Sequence, residues 1–399
     1  MLDDALAGIR VIDFAQVAAG PVCGAMLADL GADVIKLESP AGDIGRRLGP
    51  PYIDGESASS TMSNRGKRSV VLDLKTAEGR ATARKLIATA DIVLESFRPG
   101  VMRRFGLDYE SLKATQPRLI YIAISAYGQT GPWKDKPGVD GIVQGASGLM
   151  SVTGEPGAGP TKVSVPVVDM TTAFLATTAV LAALRKRDRT GEGQLLDIGM
   201  YGSAILLQQH SMVGYLVSGT PPERAGSAAP YASPNEAYPT ADGWIMVAAY
   251  HPERWIALCD LLGEPELSRD PRFADLPERV ANRPALFAAL SAHFRRRTTA
   301  EWIQALEAAD IICGPIASYD QVVASPQMAH MGWVTEMPHA SGGTVPTIGF
   351  GLGRASGVAP IRRGAPAIGQ HTAEILAELG IAPPGLSPSP PARGGRGSG

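Results

Sequence analysis

The strongest constraint on the fold lies in the first forty residues. Gly8–Ala15 is a short apolar run of the kind that fills a buried parallel strand. Gly20–Gly31 follows, with Pro21 near its start, apolar residues at helical spacing and a glycine at its end. Asp33–Leu37 is again strand-like. Strand, helix and strand in so short a span make a βαβ unit. The alternation continues through a helix over Thr76–Ala90, a strand over Asp91–Phe97, a short helix over Tyr109–Thr115 and a strand over Leu119–Ser125. Such a chain predicts an α/β fold with a mostly parallel, doubly wound sheet, whose ligands sit beyond the C-terminal strand ends.

The chain has 399 residues and is 45% hydrophobic, enough for two domains rather than one. A large domain is expected over residues 1–220 and a smaller α/β domain over 225–325. The chain then returns to the large domain over 330–382. The small domain should open on a hairpin at Ala237–Ala249, turning at Asp242–Gly243, and Thr298 and Glu301 should form a capping box. The tail 383–399 is rich in Pro, Gly and Ser and is expected to be disordered.

Charged residues make up 19% and the net charge is -2, so no basic excess points to nucleic acid or to an anionic membrane. Apolar stretches are broken within about 18 residues, short of a membrane span. No secretory signal is evident at the N-terminus. Three cysteines, far apart, suit neither a disulfide framework nor a zinc site. A cytoplasmic protein is the expectation. The six histidines are scattered and none pairs at i, i+4, so no metal site is expected.

The first βα turn, Phe14–Pro21, lacks the Gly-x-Gly-x-x-Gly pattern that lets pyrophosphate approach the backbone, which argues against a nicotinamide-dependent oxidoreductase. Asn64–Arg68 (NRGKR) reads either as a solvated loop or as a phosphate clamp. Arg98, Arg103 and Arg104 form a second basic cluster directly after a strand, where this sheet class binds ligands. Asp169 opens a long apolar helical segment. It reads either as an N-cap or as a nucleophile that attacks a thioester to form a mixed anhydride.

Several runs together resemble the class III CoA-transferase family, which includes formyl-CoA transferase and carnitine CoA-transferase and is related to alpha-methylacyl-CoA racemase. They are Gly8–Phe14, Leu30–Lys36, Asn64–Ser69 with Leu72–Lys75, Gly128–Pro132, Thr190–Gln194 and Gly369–Thr372. The resemblance spans roughly residues 8–380. It implies a Rossmann-like large domain built from both chain ends, a smaller domain, and a homodimer of two interlocked rings. It places Asp169 on the family's nucleophilic aspartate. It also implies a CoA site lined by Val17, Ala18, Leu72, Ser96, Phe97, Arg104 and Lys136, with Gln16 and Val17 touching the reacting acyl group. Ser96 stands where an asparagine is common. Ser227–Ser233 and Pro234–Tyr238 are rough stand-ins for the family's glycine-rich loop, whose role stays open.

One departure separates two reactions. Racemase relatives carry a histidine in a Gly-His-Asp run, and here that run is Gly138-Val139-Asp140. Valine cannot move a proton, so acyl transfer on Asp169 is favoured over racemisation. The reading is a CoA-transferase acting on an acyl-CoA donor and a free carboxylic acid, with CoA as substrate and no prosthetic group. Arg98 joins the CoA-binding set. Arg46 and Arg47 could pair with a second carboxylate, which makes a short dicarboxylic acid a candidate acceptor and succinyl-CoA a candidate donor. An acyl-CoA racemase or epimerase and a CoA-binding protein without turnover are the alternatives.

Overall fold

The computed structural model describes residues 2–381 apart from positions 350, 352 and 355, so the expected disordered tail lies outside the described residues. The described chain forms two compact units. The first draws on Pro166–Leu207 and the described parts of Met1–Val143 and Gln327–Gly399. The second is built from Gln144–Val165 and Gln208–Pro326. Residues 144–165 and 208–220, expected with the first unit, group with the second.

The first unit is organised by six strands: β1 (Arg10–Asp13), β2 (Asp33–Glu38), β3 (Arg68–Val71), β4 (Ile92–Glu95), β5 (Ile120–Ser125) and β6 (Leu195–Gly199). They pair in parallel in the order β3-β2-β1-β4-β5-β6. Apolar strands buried on both faces are what a parallel sheet with helical crossovers requires. Ile12, Phe14, Ile35, Val70, Val93 and Tyr121 meet in one core cluster. The strand order reverses direction between β1 and β4, which opens a crevice at their C-terminal ends.

Helix α1 (Ala19–Asp29) follows β1 and is rich in small residues for a steric reason. A Cβ on Gly20 would fall 2.3 Å from the Ala15 Cβ, and one on Gly24 would fall 2.8 Å from an Asp13 carboxylate oxygen. Glycine at these two places lets α1 lie directly over the end of β1. Helix α2 (Ala77–Ile87) starts at Thr76, whose hydroxyl accepts from the Gly79 N–H.

Helix α3 (Val167–Thr190) is long and apolar enough, by length and composition, to cross a membrane, against the expectation that no stretch reaches that length. Its buried face carries polar groups that find partners inside the unit. Thr177 lies against Cys23 of α1, and Arg187 donates to Asp91 at 3.0 Å. Those contacts make it a core helix of this unit. The chain's last described helix, α4 (Thr372–Glu378), docks on the β3 edge. There Arg68 reaches Glu374 and Glu378, and the His371 N–H donates to the Ser69 carbonyl.

The second unit holds an antiparallel sheet of three strands: β7 (Asn235–Pro239), β8 (Trp244–Ala248) and β9 (Ile312–Pro315), in the order β9-β8-β7. The hairpin β7–β8 turns through residues 240–243. Its core gathers Tyr238, Val247, Trp255, Phe294 and Trp302. Helix α5 (Thr299–Ala308) opens on the expected capping box, with Thr298 and Glu301 satisfying each other's backbone N–H.

Candidate active site

The crevice between β1 and β4 is stitched by its own turn residues. Gln16 follows β1 and Ser96 follows β4, and the Gln16 N–H donates to the Ser96 hydroxyl at 2.9 Å. The neighbouring amides are captured in the same way. The Ala15 N–H donates to Asp13 at 2.8 Å, and the Val17 N–H donates to both oxygens of Asp43 at 3.2 and 3.3 Å. Lys36, fully buried, bonds the Ala15 carbonyl at 2.8 Å and Asp43 at 2.9 Å. Burial alone would raise the Asp43 carboxyl, but Lys36 and the Gly45 and Val17 amides outweigh it and hold the group below the usual carboxylate range. Val17 itself sits at φ 69°, in the left-handed region, with 40% of its surface exposed.

Beyond β4 and β5 lies a cavity of about 470 Å³. It brings together Ser96, Phe97, Arg98 and Lys136, with Gly138 and Val139 on the same wall. Arg98 and Lys136 are exposed, and the Lys136 ammonium stands 4.5 Å from the Trp133 ring centre. The cavity therefore combines an apolar wall with exposed cations at its mouth, a lining suited to an anionic ligand with an apolar arm. Arg104 is exposed on the short helix Val101–Phe105 and does not line this cavity. Ala18 is half-buried at the start of α1. Leu72 is buried in the core cluster, so its side chain faces the sheet's packing rather than a ligand.

Asp169 occupies the first turn of α3 but not its cap. The cap residue is Pro166, which offers no side-chain bond. The capping comes instead from Asp140, whose carboxylate accepts the N–H groups of Val168 at 2.8 Å and Asp169 at 3.1 Å. Asp140 directly follows Gly138 and Val139 of the cavity wall, so it ties the helix start to that wall. The division of labour matters chemically. A carboxylate at the third helical position is drawn toward the helix's own amides. Here another carboxylate takes them, and no donor among the described residues reaches the Asp169 carboxyl. Burial, and then the nearby charge of Asp140, push the Asp169 carboxyl up to about 7.

Two basic features expected to face ligands are turned inward. Arg46 is 4% exposed, with its guanidinium divided among Glu38, Glu56 and the Pro366 carbonyl. That leaves it no donor fork for a substrate carboxylate, which corrects its assignment as a substrate residue. Arg47, next to it, is exposed and has no ion-pair partner among the described residues. The Asn64–Arg68 cluster is neither a solvated loop nor a phosphate clamp. Arg65 pairs with Asp29, and Arg68 pairs with Asp33 and α4. Lys67, fully buried, bonds Asp13, Asn64 and the Pro21 carbonyl. Burial lowers the Lys67 ammonium to about 8 against the opposing charge of Asp13. Each charge in these clusters anchors a strand end or a turn to its neighbour.

Asp140 and Asp43 are the residues that the sequence reading passed over. Asp140 stood in the very run that was weighed for its missing histidine, but it lies 27 positions before the start of the helix whose amides it takes, so no local pattern marked it as that helix's cap. Ser96 reads differently in place: its hydroxyl takes the Gln16 N–H.

The fold and site define an α/β enzyme with a raised carboxyl at a helix start and a crevice at the switch point of a parallel sheet. The family model for CoA-transferase family III matches residues 6–372, and the chain belongs to that family. A succinate–glutarate CoA-transferase of Agrobacterium fabrum is 42% identical over 383 residues, covering 94% of this chain and 95% of that one. The human succinyl-CoA:glutarate CoA-transferase is 34% identical over 375 residues, covering 94% and 86%. Among solved structures, a CAIB/BAIF family protein from Brucella suis superposes with a TM-score of 0.84 at 38% identity, covering 94% of this chain and all of that one. Rv3272 of Mycobacterium tuberculosis gives 0.83 at 34%, covering 94% and 99%. This chain is thus a CoA-transferase, moving CoA from an acyl-CoA donor to a carboxylic acid.

Proposed function

We propose that the donor is succinyl-CoA, the acceptor a short dicarboxylic acid of the glutarate kind, and the nucleophile Asp169. The observation that carries the reading is the Asp169 carboxyl left without a capping duty while Asp140 takes the helix amides. The Asp169 carboxylate attacks the thioester carbonyl, the C–S bond breaks, and CoA leaves as a thiolate from a mixed anhydride. The thiolate attacks the aspartyl carbonyl and releases the donor acid, which leaves CoA as a thioester on Asp169. The acceptor carboxylate then attacks that thioester, and the expelled thiolate takes the acceptor acyl group from the new anhydride. Asp169 returns as a carboxylate. It carries the acyl group itself, so no step calls on a prosthetic group.

In this reading the CoA arm runs through the cavity past Ser96, Phe97 and Val139. Its phosphates meet Arg98, Arg104 and Lys136, and its thioester end reaches Gln16, Val17 and Ala18. Arg47 pairs with the acceptor's second carboxylate. The succinate and glutarate in the relatives' names support that choice. The strand order supports a Rossmann-like large domain, with a smaller domain built from the two segments that separate its three parts. Two copies interlock as a dimer in the cytoplasm. A second copy would cover apolar side chains left open in each unit, Phe174 and Leu206 in the first and Leu216 and Val217 in the second.

Mass spectrometry after incubation with a panel of acyl-CoAs tests the chemistry. The expected result is a CoA thioester at Asp169, sensitive to hydroxylamine, strongest with succinyl-CoA and absent in Asp169→Ala. No adduct from any donor, despite CoA binding, would overturn it.

A further inference from the structure

Transfer chemistry on Asp169 does not explain why a β-branched residue is held in the left-handed region at the mouth of the crevice. Val17 at φ 69° is such a residue. That conformation is disfavoured for it by about tenfold or more, while glycine or asparagine adopts it readily. The chain keeps it by building beneath it. Asp43 accepts the Val17 N–H with both oxygens and also the Gly45 N–H at 2.8 Å. Lys36, 1% exposed, neutralises Asp43 and ties the same turn through the Ala15 carbonyl. The segment carrying Asp43 closes directly on the turn, since a Cβ on Gly45 would lie 3.1 Å from the Val17 Cα.

We propose that Asp43, charge-balanced by Lys36, is a positioning residue that fixes the left-handed Val17 turn and so presents Gln16 and Val17 to the thioester end of the ligand. The proposal rests on the transferase reading above. Three successive amides, of Ala15, Gln16 and Val17, are consumed by Asp13, Ser96 and Asp43. The Val17 side chain is left 40% exposed, so the turn spends its backbone on anchorage and keeps that side chain at the surface. A turn with only a structural duty would be served by glycine at position 17 and would need no buried ion pair beneath it. Strain that the surroundings over-determine, beside a ligand crevice, is the pattern of a preorganised contact.

The test replaces the buried pair together, Lys36→Met with Asp43→Leu, because removing one partner leaves an unpaired buried charge whereas apolar replacement of both is tolerated. Adduct formation at Asp169 and affinity for free CoA by calorimetry are measured, with and without Val17→Gly. With Val17 present, loss of the pair should slow adduct formation and weaken CoA binding by about tenfold, the size of the conformational preference. In the Val17→Gly background the same loss should fall below about threefold, a coupling read as non-additivity. If the paired variant fails to fold, Asp43→Asn, which keeps one acceptor, is measured in the same two backgrounds. Unchanged rates and affinity on losing Asp43 would overturn the proposal, as would an equal loss in both backgrounds. If the wild-type chain binds CoA but forms no adduct, the transferase mechanism fails instead, and the coupling in CoA affinity still decides the role of Asp43.

Discussion

The rate of adduct formation should depend on pH in a way that an ordinary aspartate forbids. Attack needs the Asp169 carboxylate, and its carboxyl is pushed up to about 7 by burial and by Asp140. At pH 5 a group of that pKa is ionised to about 1%, so the rate should lie roughly 100-fold below its plateau at pH 9. A carboxyl at its ordinary value of 3.8 would be more than about 90% ionised at pH 5 and the rate nearly flat. Single-turnover mixing with succinyl-CoA, quenched and read by mass spectrometry from pH 5 to pH 9, separates the two by a wide margin. Asp140→Asn sharpens the test. It keeps an oxygen to accept the Val168 and Asp169 amides but removes the second cause of the shift. The midpoint should move down only part of the way toward the ordinary value, because burial is the larger cause. A flat profile in the wild type, or a midpoint near 4, would refute the argument that Asp169 is a desolvated nucleophile.

Further outcomes can be checked on the same protein. Asp169→Asn should stabilise the chain above pH 7 and leave it unchanged below pH 4. A carboxyl raised in the folded state contributes fully below its unfolded pKa and loses that contribution as pH rises through the folded pKa. A shift from 3.8 to about 7 sets a ceiling of about 4 kcal/mol, and the partial exposure of Asp169 brings the expectation to about 2 kcal/mol. Thermal melts of the ligand-free protein at pH 4 and pH 8 measure it, and equal gains at both would contradict it. Arg47→Ala should raise KM for dicarboxylic acceptors with little change for monocarboxylic ones, as steady-state kinetics with paired acceptors would show. Arg46→Ala should instead destabilise the fold by about 3–5 kcal/mol, since it strands Glu38 and Glu56, and denaturant titration reads that directly. Thr298→Ala should cost about 1 kcal/mol through the lost cap of α5, followed by the fluorescence of buried Trp302.

The βαβ alternation, the parallel sheet, the β7–β8 hairpin, the Thr298 cap and the start of a long helix near Asp169 were all legible in the sequence. They are written in short-range periodicity: apolar runs for buried strands, helical spacing, glycine and proline at boundaries. The resemblance carried the chemistry because its motifs keep their order along nearly the whole chain. The destinations of the charges were not legible. Arg46 and Arg47 are identical in sequence and adjacent, yet one is consumed by Glu38 and Glu56 and the other faces solvent. The cluster Asn64–Arg68 read either as a solvated loop or as an anion clamp until the fold paired it with Asp13, Asp29 and Asp33, and with Glu378, which lies 310 positions from Arg68. The same holds for Asp140, which caps a helix that begins almost thirty residues later. A residue's type determines that it carries charge or can accept a proton. Which partner it meets depends on which strand ends the sheet order brings together, and only the tertiary structure decides that.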